Sequence, residues 1–281
     1  MNIRSNDQSK RIWRVPAYLP YLQPDLTDEA LADAEQILGY SLPKDFISLL
    51  REQNGGYIRY TLSDIPHQLI RGIGPNFPSL TDFDWSEEQE YVSFPLDGLV
   101  PFDGDGHWHI CMDYRESAEA PSVAYVDVEC DSSSIIAPSF SAYLSLLETA
   151  YSDQFVLQPL GDIDGFISRL SSALDCEFLD PDSLAHGYPV YRARLGGPAS
   201  SEWIWLSPNR APRGLVRSDD PRYEQLRNVL PGHGLRFDEL PEASYLMGAT
   251  EGQRDHVQRA VETLGYVLQP LHGYVDDNPK S

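Results

Sequence analysis

The chain has 281 residues, of which 41% are hydrophobic and 23% charged, so it can form packed cores and is not a wholly disordered chain. Its formal net charge of −22 repels nucleic acid and anionic lipid and attracts basic proteins. We therefore expect a protein partner, and neither nucleic acid nor a membrane as the ligand. The sequence leaves the oligomeric state open.

The negative charge is distributed unevenly along the chain. Residues 25–153 carry 24 acidic and 5 basic side chains, which gives −19, whereas residues 154–281 carry 18 and 12, which gives −6. The first 24 residues carry 1 and 4, which gives +3. Either the acidic first half steers a basic partner toward itself, or its charge serves only solubility.

The sequence also predicts the compartment. No apolar run approaches the roughly 20 residues that cross a bilayer, and the polar start Met1–Asp7 lacks the apolar core of a signal peptide. Cys111, Cys130 and Cys176 form neither a disulfide framework nor a C-x-x-C metal pattern. We expect a cytoplasmic protein with reduced thiols and no cofactor.

Two helices are predicted after a proline-rich lead-in. Thr27 is suited to cap a helix that stops at Gly39, and Pro43 begins a second helix with Phe46 on its buried side. The glycines of Asn54-Gly55-Gly56 then allow a sharp corner into a strand.

An irregular stretch follows at 61–95, and short strands and a closing helix come after it. Asp103-Gly104-Asp105-Gly106 predicts a turn between strands, and Ser139 is suited to cap a helix over 139–150. The strands are predicted at Leu99–Phe102, His107–Tyr114 and Ser122–Val128. We place the first domain at residues 1–152, lead-in included.

The second half predicts another α+β domain, at residues 153–281. Its helices are expected at 162–174, 221–230 and 252–264, and its strands at 155–159, 189–195, 202–206 and 265–271. Val-Leu-Gln-Pro-Leu occurs at 156–160 and again at 267–271, so this domain is expected to begin and end on neighbouring strands of one sheet.

The ordered motifs of the first domain resemble those of the SUKH superfamily, the Smi/Knr family of a yeast cell-wall synthesis regulator and of many bacterial immunity proteins. The resemblance covers residues 25 to about 150 and implies a mostly antiparallel sheet packed with helices. The fold-specifying positions that it implies are Glu35, Gly39, Leu42, Pro43, Phe46, Asn54, Gly55, Gly56, Asp113, Pro138, Ser139 and Phe140. The family implies a binding scaffold whose variable surface selects the partner.

Catalytic patterns are missing from the sequence. There is no nucleophile elbow, phosphate-binding loop or H-E-x-x-H motif. His107 and His109 alternate on a predicted strand and would face the same side, as two metal ligands or as two half-exposed strand residues. We expect the second of these, with no metal and no enzymatic activity.

The candidate partner-binding residues are acidic and aromatic. We define the acidic segment as residues 82–91, where Phe83, Trp85 and Tyr91 lie among five acids. Its aromatics either anchor an interface or turn inward beneath a solvated loop. The candidates are Asp82, Asp84, Trp85, Glu87, Glu88 and Glu90 of this segment, and Asp103 and Asp105 of the turn.

The resemblance and the charge together lead to one functional expectation and two alternatives. We expect a bacterial immunity protein that binds and neutralises a cognate basic toxin, such as a nuclease, through its acidic surface. The alternatives are an adaptor or regulator of the Smi/Knr type with a cellular partner, and an enzyme that uses the second domain.

Overall fold

The computed structural model describes residues 12–15, 17–63, 65, 68–150, 154–158, 160–181, 188–211, 235–237, 239–241 and 243–277. The helix predicted at 221–230 and the predicted boundary between residues 152 and 153 lie outside these ranges.

The two predicted helices at the start of the first domain are present, and the first carries the expected caps. Helix α1 spans Asp28–Leu38; Thr27 Oγ1 accepts the Ala30 N–H at 3.1 Å, and Gly39 ends the helix with a left-handed φ of 76°. Helix α2 spans Lys44–Glu52. Local sequence signals therefore fix where both helices begin and where α1 ends.

A four-stranded antiparallel sheet forms the centre of the first domain. It is built in the order β4-β5-β6-β7, and a bulge interrupts the register of β4 and β5 between Pro101 and Asp103. The strands are β4 (Leu99–Gly104), β5 (Trp108–Asp113), β6 (Ser122–Asp127) and β7 (Ser132–Ala137). Each follows its neighbour along the chain, so the sheet is a meander of hairpins.

Helices cover one face of this sheet. The ring of Phe102 on β4 packs against the rings of Phe46 on α2 and of Tyr143, with centroid distances of 6.1 and 5.3 Å. Tyr143 lies on α3, which spans Phe140–Leu146 and is capped by the Ser139 hydroxyl. The predicted helix over 139–150 is thus too long, because the chain leaves it to form β8 (Glu148–Thr149).

Three further short strands complete the first domain. They are β1 (Gly56–Tyr57), β2 (Tyr60–Thr61) and β3 (Leu69–Ile70). Strand β1 pairs with β3, and β2 pairs with β8. The Arg71 N–H donates to the Phe102 carbonyl at 2.8 Å, so the segment that follows β3 covers the outer edge of β4.

The Asn54-Gly55-Gly56 corner is held by one buried amide. Asn54 Nδ2 donates to the Pro24 and Ile73 carbonyls at 2.6 and 2.8 Å, and Oδ1 accepts the Ile73 N–H at 2.8 Å. Gly55 has φ +88°, and a Cβ there would lie 2.6 Å from the Gly72 nitrogen. Close approach of two backbones therefore requires glycine at this corner.

The second half of the chain contains a five-stranded sheet with helices packed on it. The sheet order is β10-β11-β12-β9-β13. The strands are β9 (Gln154–Leu157), β10 (Tyr191–Arg194), β11 (Trp203–Pro208), β12 (Tyr245–Ala249) and β13 (Leu268–Pro270). The helices are α4 (Ile163–Leu174), α5 (Arg254–Thr263) and α6 (Leu271–Asp277).

The fold class and one topological prediction are confirmed. Helices and antiparallel sheets occur in both halves, as expected of an α+β chain. Leu268 pairs with Leu157 and Gln269 with Val156, so the two copies of the Val-Leu-Gln-Pro-Leu phrase contribute to adjacent antiparallel strands. Backbone contacts divide the chain into two compact units, one of which is Arg11–Glu148.

The Asn54 amide yields a prediction about stability. We expect Asn54→Ala to destabilise the first domain by about 3 kcal/mol, because three backbone groups, two of them in buried hydrogen bonds, lose their partner. The measurement is hydrogen exchange of the Ile110 amide, which lies on the central strand β5 and reports opening of this domain. Gln36→Ala, at an exposed position of α1, is the control and is expected to change little. Equal protection in the two variants would contradict the role given to Asn54.

Candidate functional site

The acidic segment lies on the sheet face opposite the helices. His109 and Cys111 alternate with Ile110 along β5, so their side chains point away from the helix-covered face. The Phe83 and Trp85 rings meet the His109 ring edge to face, with centroids 4.8 and 5.0 Å apart. Phe83 and Trp85 therefore turn inward and fasten the segment to the sheet.

Further contacts secure the same segment and the residues after it. Trp85 Nε1 donates to the Leu99 carbonyl at 2.8 Å. Gln89 Nε2 donates to the Phe94 carbonyl at 3.0 Å, and Gln89 Oε1 accepts the Leu96 N–H at 2.9 Å. Trp85 and Phe94 pack against a core cluster that includes Leu96 and Leu99. The segment is thus a structured cover over the sheet rather than a loose loop.

The carboxylates of the segment point outward. Asp82, Asp84, Glu87 and Glu90 are exposed, whereas Glu88 is half-buried in a single 3-10 turn, Glu88–Tyr91. Tyr91 differs from the other two aromatics because 71% of its surface is exposed. The structure therefore separates the predicted set into inner aromatic anchors and an outer layer of acids with one exposed ring.

Asp103 does not belong to that outer layer. Its side chain is buried, and Oδ2 accepts the Gln68 and Leu69 N–H groups at 3.2 Å each. Its Oδ1 accepts the Gly104 N–H at 2.8 Å. The sequence placed Asp103 in a partner-binding turn, but its carboxylate holds the β3 segment against β4 and is not available at the surface.

Asp105 lies at the exposed tip of the same turn. Its Oδ1 accepts the backbone N–H groups of His107 and Trp108 at 2.9 and 3.2 Å. Partial burial acts to raise the pKa of Asp105, but these hydrogen bonds outweigh it and lower the pKa below its ordinary value. Asp105 is therefore a firmly ionised carboxylate that also orders the turn.

Two of the five cations of residues 25–153 are withdrawn from the surface. Arg59 and Arg71 are buried, and the Arg71 guanidinium lies 5.1 Å from the Phe83 ring centroid. Burial lowers the pKa of Arg71, and the charge of Asp103 acts in the opposite direction. Because Asp103 and Asp113 are buried as well, burial among the described residues removes two charges of each sign and leaves the sequence count of −19 unchanged.

Arg115 is the only Lys or Arg between Gly72 and Ser168, a stretch with 18 acidic residues. Its Nε and Nη2 donate to the two carboxylate oxygens of Asp113 at 2.9 and 2.7 Å, and this bidentate pair raises its pKa. Its Nη1 donates to the Pro95 carbonyl at 3.2 Å. Arg115 is thus paired locally with Asp113 and holds the chain that follows the acidic segment.

The two histidines do not form a pair. His107 precedes β5, is exposed, and places Nδ1 2.7 Å from Glu129 Oε1. His109 is fully buried, and within the described part of the chain neither ring nitrogen has a hydrogen-bond partner. The described residues contain no cluster of His, Cys, Asp or Glu that could hold a metal ion. The prediction of two half-exposed strand residues is wrong, because His109 is fully buried whereas His107, just before the strand, is exposed.

The fold-specifying residues have structural surroundings throughout. Glu35 Oε1 accepts the Leu42 N–H at 2.8 Å and so joins the end of α1 to the start of α2. Asp113 holds Arg115, and Asn54 holds the glycine corner. Leu42, Phe46 and Phe140 are buried in the core, and Pro43 and Ser139 occupy helix N-caps. The exposed Pro138 immediately precedes that second cap.

The second unit contains a groove that the sequence analysis missed. It encloses about 850 Å³ beside the end of α4 and is lined by Asp175, Cys176, Glu177, Arg194 and Trp203 among others. Arg194 Nη1 is bound to the Pro198 carbonyl at 2.7 Å, and its guanidinium lies 4.7 Å from the Trp203 ring centroid. Burial, and then the charge of Asp175, raises the pKa of Cys176, so this thiol is not an activated nucleophile.

The comparisons with known proteins agree with the first-domain architecture. Residues 25–146 match the SMI1 / KNR4 family (SUKH-1). The chain therefore carries a SUKH-1 domain in its first half, which confirms the resemblance seen in its motifs. That family includes immunity proteins as well as regulators of the Smi1/Knr4 type. No curated protein matches the chain. Among the described residues, no helix has the length and apolar character to span a bilayer.

The buried His109 ring leads to a prediction about pH. Burial, and then the positive charge of Arg71, lowers its pKa from 6.5 to about 4, against the opposing charges of Asp105 and Asp103. Between these two pH values the unfolded chain binds a proton that the folded chain excludes. Stability should therefore fall by up to about 3 kcal/mol as the pH falls from 6.5 to 4.

His109→Phe should remove this part of the pH dependence, because Phe fills the aromatic site without titrating. The measurement is the free energy of unfolding at several pH values between 4 and 7 for the wild type and the variant. His107→Gln at the exposed neighbouring position is the matched control and should keep the wild-type slope. If His109→Phe shows that same slope, the buried ring is not the titrating group.

Proposed function

We propose that this chain is a bacterial immunity protein, which binds a basic toxin, such as a nuclease, and blocks it through the acidic surface of its SUKH-1 domain. The observation that carries the proposal is the arrangement of the acidic segment. Phe83 and Trp85 face the sheet, while Asp82, Asp84, Glu87 and Glu90 face solvent.

The surroundings of the segment strengthen this reading. Arg115 pairs with Asp113 rather than with an outward carboxylate, and the buried Arg71 acts on Asp82 at the start of the segment. A field of one sign raises the rate at which an oppositely charged protein arrives, above the ~10⁵–10⁶ M⁻¹s⁻¹ of a neutral encounter. Carboxylates held on a structured segment also need little ordering when they meet Arg or Lys.

Tyr91 fits the same surface as a hydrophobic anchor. Its ring is 71% exposed within the acidic segment. Tyr is enriched among the residues that dominate interface energies, because it combines apolar area with a hydroxyl group. In the proposed complex the acids steer and orient the toxin, and Tyr91 inserts at the contact.

Inhibition by this route requires no bond-making by the chain. A tightly bound protein blocks a nuclease by covering its active site, and the basic groove that binds nucleic acid is the natural target for carboxylates. We therefore also propose that the chain is not an enzyme. The immunity role places it in the cytoplasm, because an inhibitor must meet its toxin in the compartment that the toxin attacks.

The first experiment identifies the partner. A tagged full-length chain is co-expressed with the product of the gene that adjoins its own, and the two are purified together. Recovery of a basic toxin, with loss of its toxicity, supports the immunity role. Recovery of housekeeping proteins instead would favour an adaptor or regulator of the Smi/Knr type and would overturn the immunity role.

The electrostatic part of the proposal has its own prediction. The combined variant Asp82→Asn, Asp84→Asn, Glu87→Gln and Glu90→Gln should associate with that toxin about tenfold more slowly at low salt, because it loses four steering charges. The measurement is the association rate by stopped flow over a range of ionic strength. The rates of the wild type and the variant should become equal at high salt.

The control removes four exposed acids elsewhere in the same domain, Asp25, Asp33, Glu52 and Glu119, by the same Asn and Gln substitutions. This control variant has the same net charge as the test variant, but its four lost charges lie outside the acidic segment. Its association rate should therefore fall less than that of the test variant. Equal slowing by both sets would assign the effect to net charge and would contradict a role for the acidic segment.

A further inference from the structure

Strand β7 is the open edge of the SUKH-1 sheet. At the opposite edge, Phe102 of β4 accepts the Arg71 N–H, so that edge is covered. In the part of the chain that the structure describes, β7 pairs with β6 alone. Its first four residues, 132–135, are all exposed, and 58% of the Ile135 side chain is open to solvent.

The hydrogen-bond pattern of the sheet shows which backbone groups point outward. The Val128 N–H donates to the His107 carbonyl at 2.8 Å, so even-numbered residues of β6 bond toward β5. Odd-numbered residues of β6 therefore bond toward β7, where Tyr125 is opposite Ser134. It follows that Ser132 and Ser134 bond to β6, whereas the N–H and C=O groups of Ser133 and Ile135 point away from the sheet.

This edge lacks the features that usually prevent strand addition. Natural edge strands are protected by charged side chains, by prolines or by a cover. Residues 132–136 are three serines and two isoleucines, and Pro138 comes only after the strand. The bulge in β7 lies at Ile136, between the partners of Val123 and Ala124, and it leaves the regular pairing of residues 132–135 intact.

The edge adjoins the acidic surface. Ser93, just after the acidic segment, donates its N–H to Asp131 Oδ1 at 2.6 Å, immediately before β7. Arg115 reaches Ser133 Oγ at 3.4 Å while it is neutralised by Asp113. Ser133 and Ile135 pair with Val126 and Ala124, two residues of the cluster that the segment covers, so their side chains point toward the segment side.

We propose that β7 accepts an extended segment of the partner protein as an additional strand, and that this segment carries Lys or Arg at alternate positions. The inference rests on the proposed function, because it concerns the same partner. Outward N–H and C=O groups supply the pairing, and the neighbouring carboxylates select the basic side chains. A second copy of this chain is disfavoured at the edge, because it would bring its own acids against these acids.

The test uses two short synthetic peptides, one alternating Lys with Val and one alternating Glu with Val, added to the full-length chain. Amide hydrogen exchange is followed residue by residue along β7. Without peptide, Ser133 and Ile135 should exchange fast and Ser134 slowly. The Lys peptide should slow exchange at Ser133 and Ile135 and leave Ser134 unchanged, whereas the Glu peptide should leave all three unchanged.

The affinity of a variant for the Lys peptide tests the same inference. Ser133→Pro removes an outward N–H without removing a bond to β6, a position at which an edge strand tolerates proline. It should weaken binding of the Lys peptide about tenfold or more. Ser133→Ala keeps the N–H and loses the same hydroxyl, so it is the matched control and should bind as the wild type does. Continued protection of Ser134 shows that the hairpin of the proline variant is intact.

The outcomes separate this inference from the proposed function. Binding of the Lys peptide without protection of Ser133 and Ile135 overturns the edge inference, as does failure of this peptide to bind. Either result leaves the toxin experiment to decide the proposed function. Protection that grows with protein concentration alone, together with a dimer in sedimentation, would assign the edge to a second copy and would also overturn the inference.

Discussion

The surface of the first domain depends on the packing of Phe83 and Trp85 against the buried His109 ring. Those contacts fix which side of the acidic segment is inside. Once both aromatic rings face the sheet, the acids that alternate with them must face solvent. The pKa of His109 is strongly lowered in this position, because burial among aromatic rings favours the neutral imidazole over the charged form.

The packing of the acidic segment on the sheet also determines which charged side chains are buried and which are exposed. Arg71 lies beneath the segment against Phe83, and the Asp103 carboxylate accepts hydrogen bonds from backbone N–H groups. Arg115 is bound by Asp113 at the end of the segment. The interior therefore uses two cations and the carboxylates of Asp103 and Asp113 for folding, and the exterior retains the outward carboxylates of the acidic segment next to the open edge of β7. A partner surface that combines positive charge with an extended segment would match both features at once.

Much of this architecture could be predicted from local sequence signals, because caps and glycine corners depend on a few neighbouring residues. Thr27, Gly39 and Ser139 bound their helices as expected. The fate of Asp103 was not predictable in this way, since its partners Gln68 and Leu69 are more than thirty residues earlier in the chain. The same holds for the inward turn of Phe83 and Trp85, which composition left undecided between an interface and a core. The edge status of β7 required the order and register of the whole sheet.

The proposed function requires the acidic segment to present a concentrated negative field to solvent. Paramagnetic relaxation of backbone amide protons by a cationic and an anionic nitroxide measures this field residue by residue. We expect the cationic probe to relax the amides of residues 82–91 several-fold more than the anionic probe does, with a smaller ratio along the exposed face of α1. Equal ratios at the two sites would contradict it.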